Sequence, residues 1–219
     1  IVVNKENAKK VKSFKTFIGG HPIPNQNGLR AAKYIKNYLA NSDKNDLVLV
    51  MLSGGGSALL PYPVEGLSLQ DKILINKQLI ESGADIKEIN AVRKHLSQIK
   101  GGNLLKFTHP SKVHCLILSD VVGDDLSSIS SGLTSPDPST FSKTKGILLK
   151  YKLWKKIPVN VQNYIKEGIK DKKLETPKSN NKIFSNVKNS IIGSNYLCLK
   201  SIHDFWLICP RGRFIQRNS

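Results

Sequence analysis

Apolar positions along the chain recur at two spacings, and each spacing predicts a different element. Leu29, Ala32, Ile35 and Leu39 share one helical face, which predicts a helix over 28–39. Leu47–Leu52 is instead an unbroken apolar run of strand length, the pattern of a parallel strand covered on both faces. It stops at Ser53-Gly54-Gly55-Gly56-Ser57. Ser68 then caps a predicted helix reaching about Ser82, with Leu69, Ile73, Ile75, Leu79 and Ile80 at helical period and Gly83 as its stop. A second helix, Asp85 to Ile99, turns Ile86, Ile89, Val92, Leu96 and Ile99 inward and closes at Gly101-Gly102. Val113–Leu118 predicts another buried strand, running into Ser119-Asp120, after which Asp124 and Asp125 are placed to cap a short helix. Helices over 140–150 and 159–170 follow, then a short strand, Asn189–Ile192, ending in Gly193-Ser194-Asn195. Helix-period and strand-like segments alternate, so the class is α/β with a mostly parallel sheet flanked by helices. The opening Ile1-Val2-Val3 reads as the inside of a strand, which makes the domain an incomplete one.

Charge changes the picture less than its size suggests. Thirty-four Lys and Arg stand against sixteen Asp and Glu, a net +18 that would ordinarily point to nucleic acid. Only Arg30, Arg93, Arg211, Arg213 and Arg217 are arginines, however, and the lysines are dispersed without an aromatic platform. Nucleic acid is therefore not the expected partner. No run approaches the ~18 apolar residues of a membrane helix, so no membrane role is expected either. Cys115, Cys198 and Cys209 are odd in number and widely spaced, which disfavours a disulfide scaffold or zinc site and suits a reducing cytoplasm. Residues 204–219 hold three of the five arginines and one of the two tryptophans. That tail reads either as frame-shifted sequence or as a terminal element with its own composition.

Three clusters carry candidate chemistry. Gly54-Gly55-Gly56 after a buried strand frees the backbone for positive φ, so that N–H groups can converge on an anion, with Ser53 and Ser57 adding hydroxyls. A plain tight turn is the alternative. Neither the Walker spacing nor GxGxxG is present. Asp120, at the end of the next strand, and Asp124 beyond Gly123 could hold Mg²⁺ or accept a hydroxyl proton, whereas Asp124 and Asp125 could instead only cap a helix. Arg93, Lys94 and His95, with Lys100 nearby, fan through about 200° of a helix and cannot all face one ligand. Arg93 suits a phosphate or carboxylate clamp, against the alternative of a solvated face. His21, between Gly19-Gly20 and Pro22-Ile23-Pro24, reads as structural on spacing alone.

Six segments in order carry a resemblance. They are Gly20–Asn25, Leu52–Pro61, Asn90–Gly102, Leu118–Asp125, Ser131–Pro138 and Ile192–Asn195. Together they resemble the glycerate 2-kinase family, often labelled hydroxypyruvate reductases, over about Gly19 to Leu199. The resemblance implies a Rossmann-like large domain that phosphorylates D-glycerate from ATP to give 2-phosphoglycerate. Residues 1–203 would be the middle of that domain. The family's first strand, with its Gly-Lys-Ala type motif, would precede Ile1, and its C-terminal domain, called MOFRL, would lie beyond this chain. On that reading the fragment is inactive alone.

By the same resemblance, Ser53, Gly54, Gly55, Gly56 and Ser57 would hold phosphate or the glycerate carboxylate. Asp120 and Asp124 would serve Mg²⁺ or the hydroxyl proton, with the choice between them open. Arg93, Lys94 and Asn195 would orient anionic groups. ATP and Mg²⁺ are the implied cofactors, and the oligomeric state is open, with a homodimer among the options. A hydroxypyruvate reductase is the rival enzyme, but it needs a dinucleotide fingerprint with an acidic residue ~20 positions later. A basic nucleic-acid-binding module is the rival outside enzymes; its affinity would fall steeply with salt.

Overall fold

The structure, a computed structural model, describes residues 1–208, with side chains as far as His203. The expectation for the tail at 204–219 lies outside the residues whose side chains are described. In chain order the elements are β1 (Val2–Val3), β2 (Phe17–Ile18), α1 (Gln26–Leu39), β3 (Leu47–Leu52), α2 (Gly56–Leu59), α3 (Leu69–Glu81) and α4 (Ile86–His95). They continue as α5 (Leu105–Thr108), β4 (Lys112–Ser119), α6 (Phe141–Lys150), α7 (Val159–Lys170), β5 (Val187–Ser194) and α8 (Asn195–Ile208).

Strands β3, β4 and β5 form a parallel sheet in that order, and β1 pairs with β2, also in parallel. The α/β class with parallel strands is thus the observed one. Side chains that can bond the free N–H groups of a first helical turn begin the long helices. Asn25 accepts from Gly28 N at α1, Asp85 from Lys87 N and Glu88 N at α4, and Thr140 from Lys143 N at α6. At α3 the Ser68 hydroxyl accepts from Asp71 N while Asp71 accepts from Ser68 N, a closed capping box.

Three expectations need correction. Ile86, expected to face inward, is exposed in the first turn of α4. Helix α4 ends at His95 rather than Ile99, because residues 96–98 pair with the Pro-rich segment instead. Val64 N donates to Leu96 O and Gln98 N to Tyr62 O, while Leu96 and Ile99 stay buried. Among the described residues, strand β3 is covered on one face only. Val48, Val50 and Leu52 point toward the interior, whereas Leu47, Leu49 and Met51 are 66%, 52% and 68% exposed. Helices α3, α4, α6 and α7 bury Leu79, Val92, Leu148 and Ile165 against one another, forming a core of their own beside the sheet rather than layering both its faces. A second cluster joins Ala31 and Ala32 of α1 to Leu60, Leu104 and Leu133, and a third sets Cys115 and Ile117 of β4 against Ile129.

Candidate active site at the sheet rim

Parallel neighbours place their carboxyl ends on one rim, and there β3 opens into the glycine loop while β4 ends beside Asp120. The two are in direct contact: a side chain on Gly54 would collide with the Asp120 carboxylate. Gly55 has φ +77°, a conformation L side chains rarely adopt, and a Cβ there would stand 2.9 Å from His21 Cδ2. Gly56 lies against Ser130, whose buried hydroxyl has no hydrogen-bond partner among the described residues. Each of the three consecutive glycines thus abuts a different neighbour.

Behind the loop, a hydrogen-bonded chain fixes its position. Ser57 Oγ bonds Ser131 Oγ at 2.8 Å, and Ser131 Oγ, fully buried, bonds Asn90 Oδ1 of α4 at 3.0 Å. Ser57 is thus turned inward, and its carbonyl accepts from Lys100 Nζ at 2.8 Å. Gly101 N donates to Ser131 O and Gly102 N to Gly132 O, which ties the Lys100 segment to the same support.

The loop divides two clefts that share His21 and Gly55. One, of about 310 Å³, is lined by Ser53, Gly54, Asp120 and the amino-terminal Val2 to Asn7 stretch. The other, of about 260 Å³, is lined by Ser57, Lys72, Asn76, Arg93 and Lys100. An acidic cleft and a cationic one therefore meet at a single glycine. In the cationic cleft Arg93 Nε donates to Asn76 Oδ1 at 2.6 Å, and Lys72 Nζ donates to Leu96 O at 3.0 Å. Burial and the neighbouring Arg93 charge lower Lys72 to about 7. Burial, then Lys72 and Arg93, push Lys100 well below the usual lysine range.

The remaining expected residues separate. Lys94 points away from Arg93, buried and paired with Asp137 at 3.4 Å. Asp124 has φ +54° and lines neither cleft. Asp125 closes a turn, accepting from Ser127 N and from the Ser127 and Ser128 hydroxyls. Asn195 is exposed at the start of α8, at the same rim but one strand beyond Asp120. Among the described residues, no three His, Cys, Asp or Glu side chains gather where they could hold a metal ion. Mg²⁺ needs only one or two carboxylates when phosphates supply the other oxygens, so Asp120 with the Ser53 hydroxyl is a donor set that fits it. Lys72 and Asn76 were not singled out from sequence. Their signal was present: Lys72, Ile75, Asn76 and Leu79 stand at i, i+3, i+4 and i+7, so two polar residues interrupt the buried stripe of α3.

Known proteins are similar to this chain in sequence and in fold. Residues 1–166 match the family described as a domain of unknown function, DUF4147. A glycerate 2-kinase of Pyrococcus horikoshii is 43% identical over 89% of this chain and 43% of its own length. A D-glycerate 2-kinase of Thermotoga maritima is 39% identical over 84% of this chain and 41% of its own. The chain thus spans about two fifths of the length of these curated relatives. A crystal structure from Pyrococcus horikoshii superposes with a TM-score of 0.87 at 40% identity, and one of a Thermotoga maritima glycerate kinase with 0.83 at 36%. Each covers 94% of this chain and 47% of its own. With the motifs, the parallel-strand rim and the family match in agreement, this chain belongs to the glycerate 2-kinase family that carries this domain.

Proposed function

We propose that the protein containing this chain phosphorylates D-glycerate from ATP, giving 2-phosphoglycerate and ADP, and that this chain supplies the rim where the transferred group is held. The observation that carries the reading is the contact of Gly54 with the Asp120 carboxylate at the ends of adjacent parallel strands. There the backbone of a glycine loop lies open to an anion while a carboxylate faces the same cleft. The glycerate 2-hydroxyl attacks the γ-phosphorus, its proton passes to a carboxylate, and ADP leaves. Asp120 is the carboxylate within reach. Bound at Asp120 and Ser53, Mg²⁺ would neutralise phosphate charge. Positioning by Ser53–Ser57, themselves fixed through Ser131 and Asn90, is the contribution of this chain's own residues. Asp124 and Asn195, outside both clefts, act from the rim or not at all. A cytoplasmic setting fits substrates of this kind.

The test is a coupled assay of 2-phosphoglycerate formation by the full encoded polypeptide with ATP, Mg²⁺ and D-glycerate. Turnover is expected. NADPH-dependent hydroxypyruvate reduction without phosphoryl transfer would establish the reductase instead.

A further inference from the structure

Lys72 of α3, Arg93 of α4 and Lys100 beyond it converge on one cleft from three separate segments, with Asn76 and His21 completing its polar lining. Lys100 is 2% exposed. Among the described residues, no carboxylate pairs with any of the three cations; their partners are the neutral oxygens of Leu96, Asn76 and Ser57. Elsewhere the same fold pairs a buried cation with a carboxylate, as Lys94 with Asp137. Burying cations against one another is costly unless something of opposite charge shares the space. Arg93 is anchored through Nε, which leaves the rest of its guanidinium fork for a planar or tetrahedral anion.

We infer that the Lys72–Arg93–Lys100 cleft is a receptor for one small oxyanion, a carboxylate or a phosphoryl group, whose entry supplies the missing counter-charge and is coupled to proton uptake. The coupling follows from the empty state, in which burial and the other cations lower Lys72 to about 7 and Lys100 well below its ordinary range. An anion reverses that bias, so Lys72, held at about 7, regains its proton as it binds. Arg93 also stands below its usual range through burial, and His21 is the other titratable group in the wall. The inference rests on the proposed function only for the source of the anion: the carboxylate of the hydroxy acid or a phosphate of the nucleotide.

Isothermal titration of the full chain with sulfate, which does not titrate between pH 6.5 and 8.5, tests the site directly. Saturable binding is expected, accompanied by proton uptake that shows as a dependence of heat on buffer. Affinity should fall about 25-fold between those pH values, the change that one proton linked to a group at about 7 gives. Lys72→Met should remove most of the pH dependence, and Lys100→Met should weaken binding at both pH values. The unmutated chain's pH profile stands as an independent measurement if a variant misfolds. Displacement of sulfate by D-glycerate assigns the carboxylate; displacement by ADP assigns the phosphate. Absence of saturable sulfate binding at pH 6.5, or binding without proton uptake, overturns the inference. Proton-linked binding without kinase activity of the full polypeptide would leave this site standing and remove the kinase reading. Activity without such binding would do the reverse.

Discussion

Asp120 and Gly54 meet at one contact, and their substitution separates chemistry from packing. Asp120 is exposed and, among the described residues, bonded to no other side chain, so Asp120→Asn is expected to leave the thermal midpoint near its original value. It should lower kcat of the full polypeptide at least ~100-fold, the loss typical of a positioned acid–base group. A shift in the Mg²⁺ requirement would mark a metal ligand, and loss of the acidic limb of the pH–rate profile a proton acceptor. Gly54→Ala should imitate the kinetic defect by displacing the carboxylate, whereas Gly55→Val should also strain the backbone, because φ is +77° there. A Gly55→Val enzyme with normal kcat/KM would reduce the loop to a turn. Glu175 shows the other use of charge. Both His95 nitrogens face oxygens, Nδ1 lying 2.8 Å from Ala91 O and Nε2 2.7 Å from Glu175 Oε1. Burial raises the Glu175 carboxyl, but the His95 bond and charge, with Phe141 N and Thr176 N, outweigh it and hold the group at about 2. The folded state therefore binds this proton less tightly than the unfolded chain, whose value is ~4.3. The stabilisation is complete above that value and is lost as pH falls through about 2. Urea midpoints measured from pH 5 to 2 should drop steeply, and Glu175→Gln should flatten that slope.

Local chemistry decided most element boundaries, which is why they could be read in advance. Ser68, Asp85 and Thr140 are placed where helix caps belong, and Leu47–Leu52 is a strand over the run its composition predicts. The α3 capping box is further bound to α7 by Asn160, which donates to Gly66 O and Asp71 Oδ2. Ser68→Ala should accordingly cost about 1 kcal/mol in chemical denaturation, the usual value of a cap. A change below a few tenths would show the box to be redundant with Asn160. What depended on partners distant in sequence was not legible. Helix α4 ends early because residues 62–64 compete for its backbone, a pairing that no periodicity in 85–99 announces. The glycine loop and Asp120 could be assigned to one rim from strand order alone. The cationic cleft could not, since Lys72 and Arg93 come from different helices. Yet each breaks a buried stripe, Arg93 doing so at i+4 from Ile89 and one turn before Leu96 and Ile99. Polar residues on an apolar stripe were the readable signal.

At the scale of the described residues, the sheet has one uncovered apolar side. Leu47, Leu49 and Met51 stand beside Lys112, His114 and Leu116 of β4 by strand register, and Leu118 of β4 is exposed on the same side. β3 is also an end strand of its sheet, with backbone groups free on one edge. Apolar area of this kind favours association. The net charge of +18 opposes it, since like-charged copies repel at low salt. The balance should therefore turn with ionic strength. Raising salt from about 0.1 M to about 1 M shortens the Debye length from ~10 Å to ~3 Å and removes most of the repulsion while leaving the apolar face intact. Sedimentation velocity of the 219-residue chain is expected to show a monomer at the lower salt and concentration-dependent association at the higher. Leu49→Lys with Met51→Lys should keep the chain monomeric at both, with its circular dichroism unchanged, because these side chains are 52% and 68% exposed and little packing is lost. A parent chain that stays monomeric at high salt would show that the face is too small to drive association. Association that persists in the double variant would place the contact elsewhere.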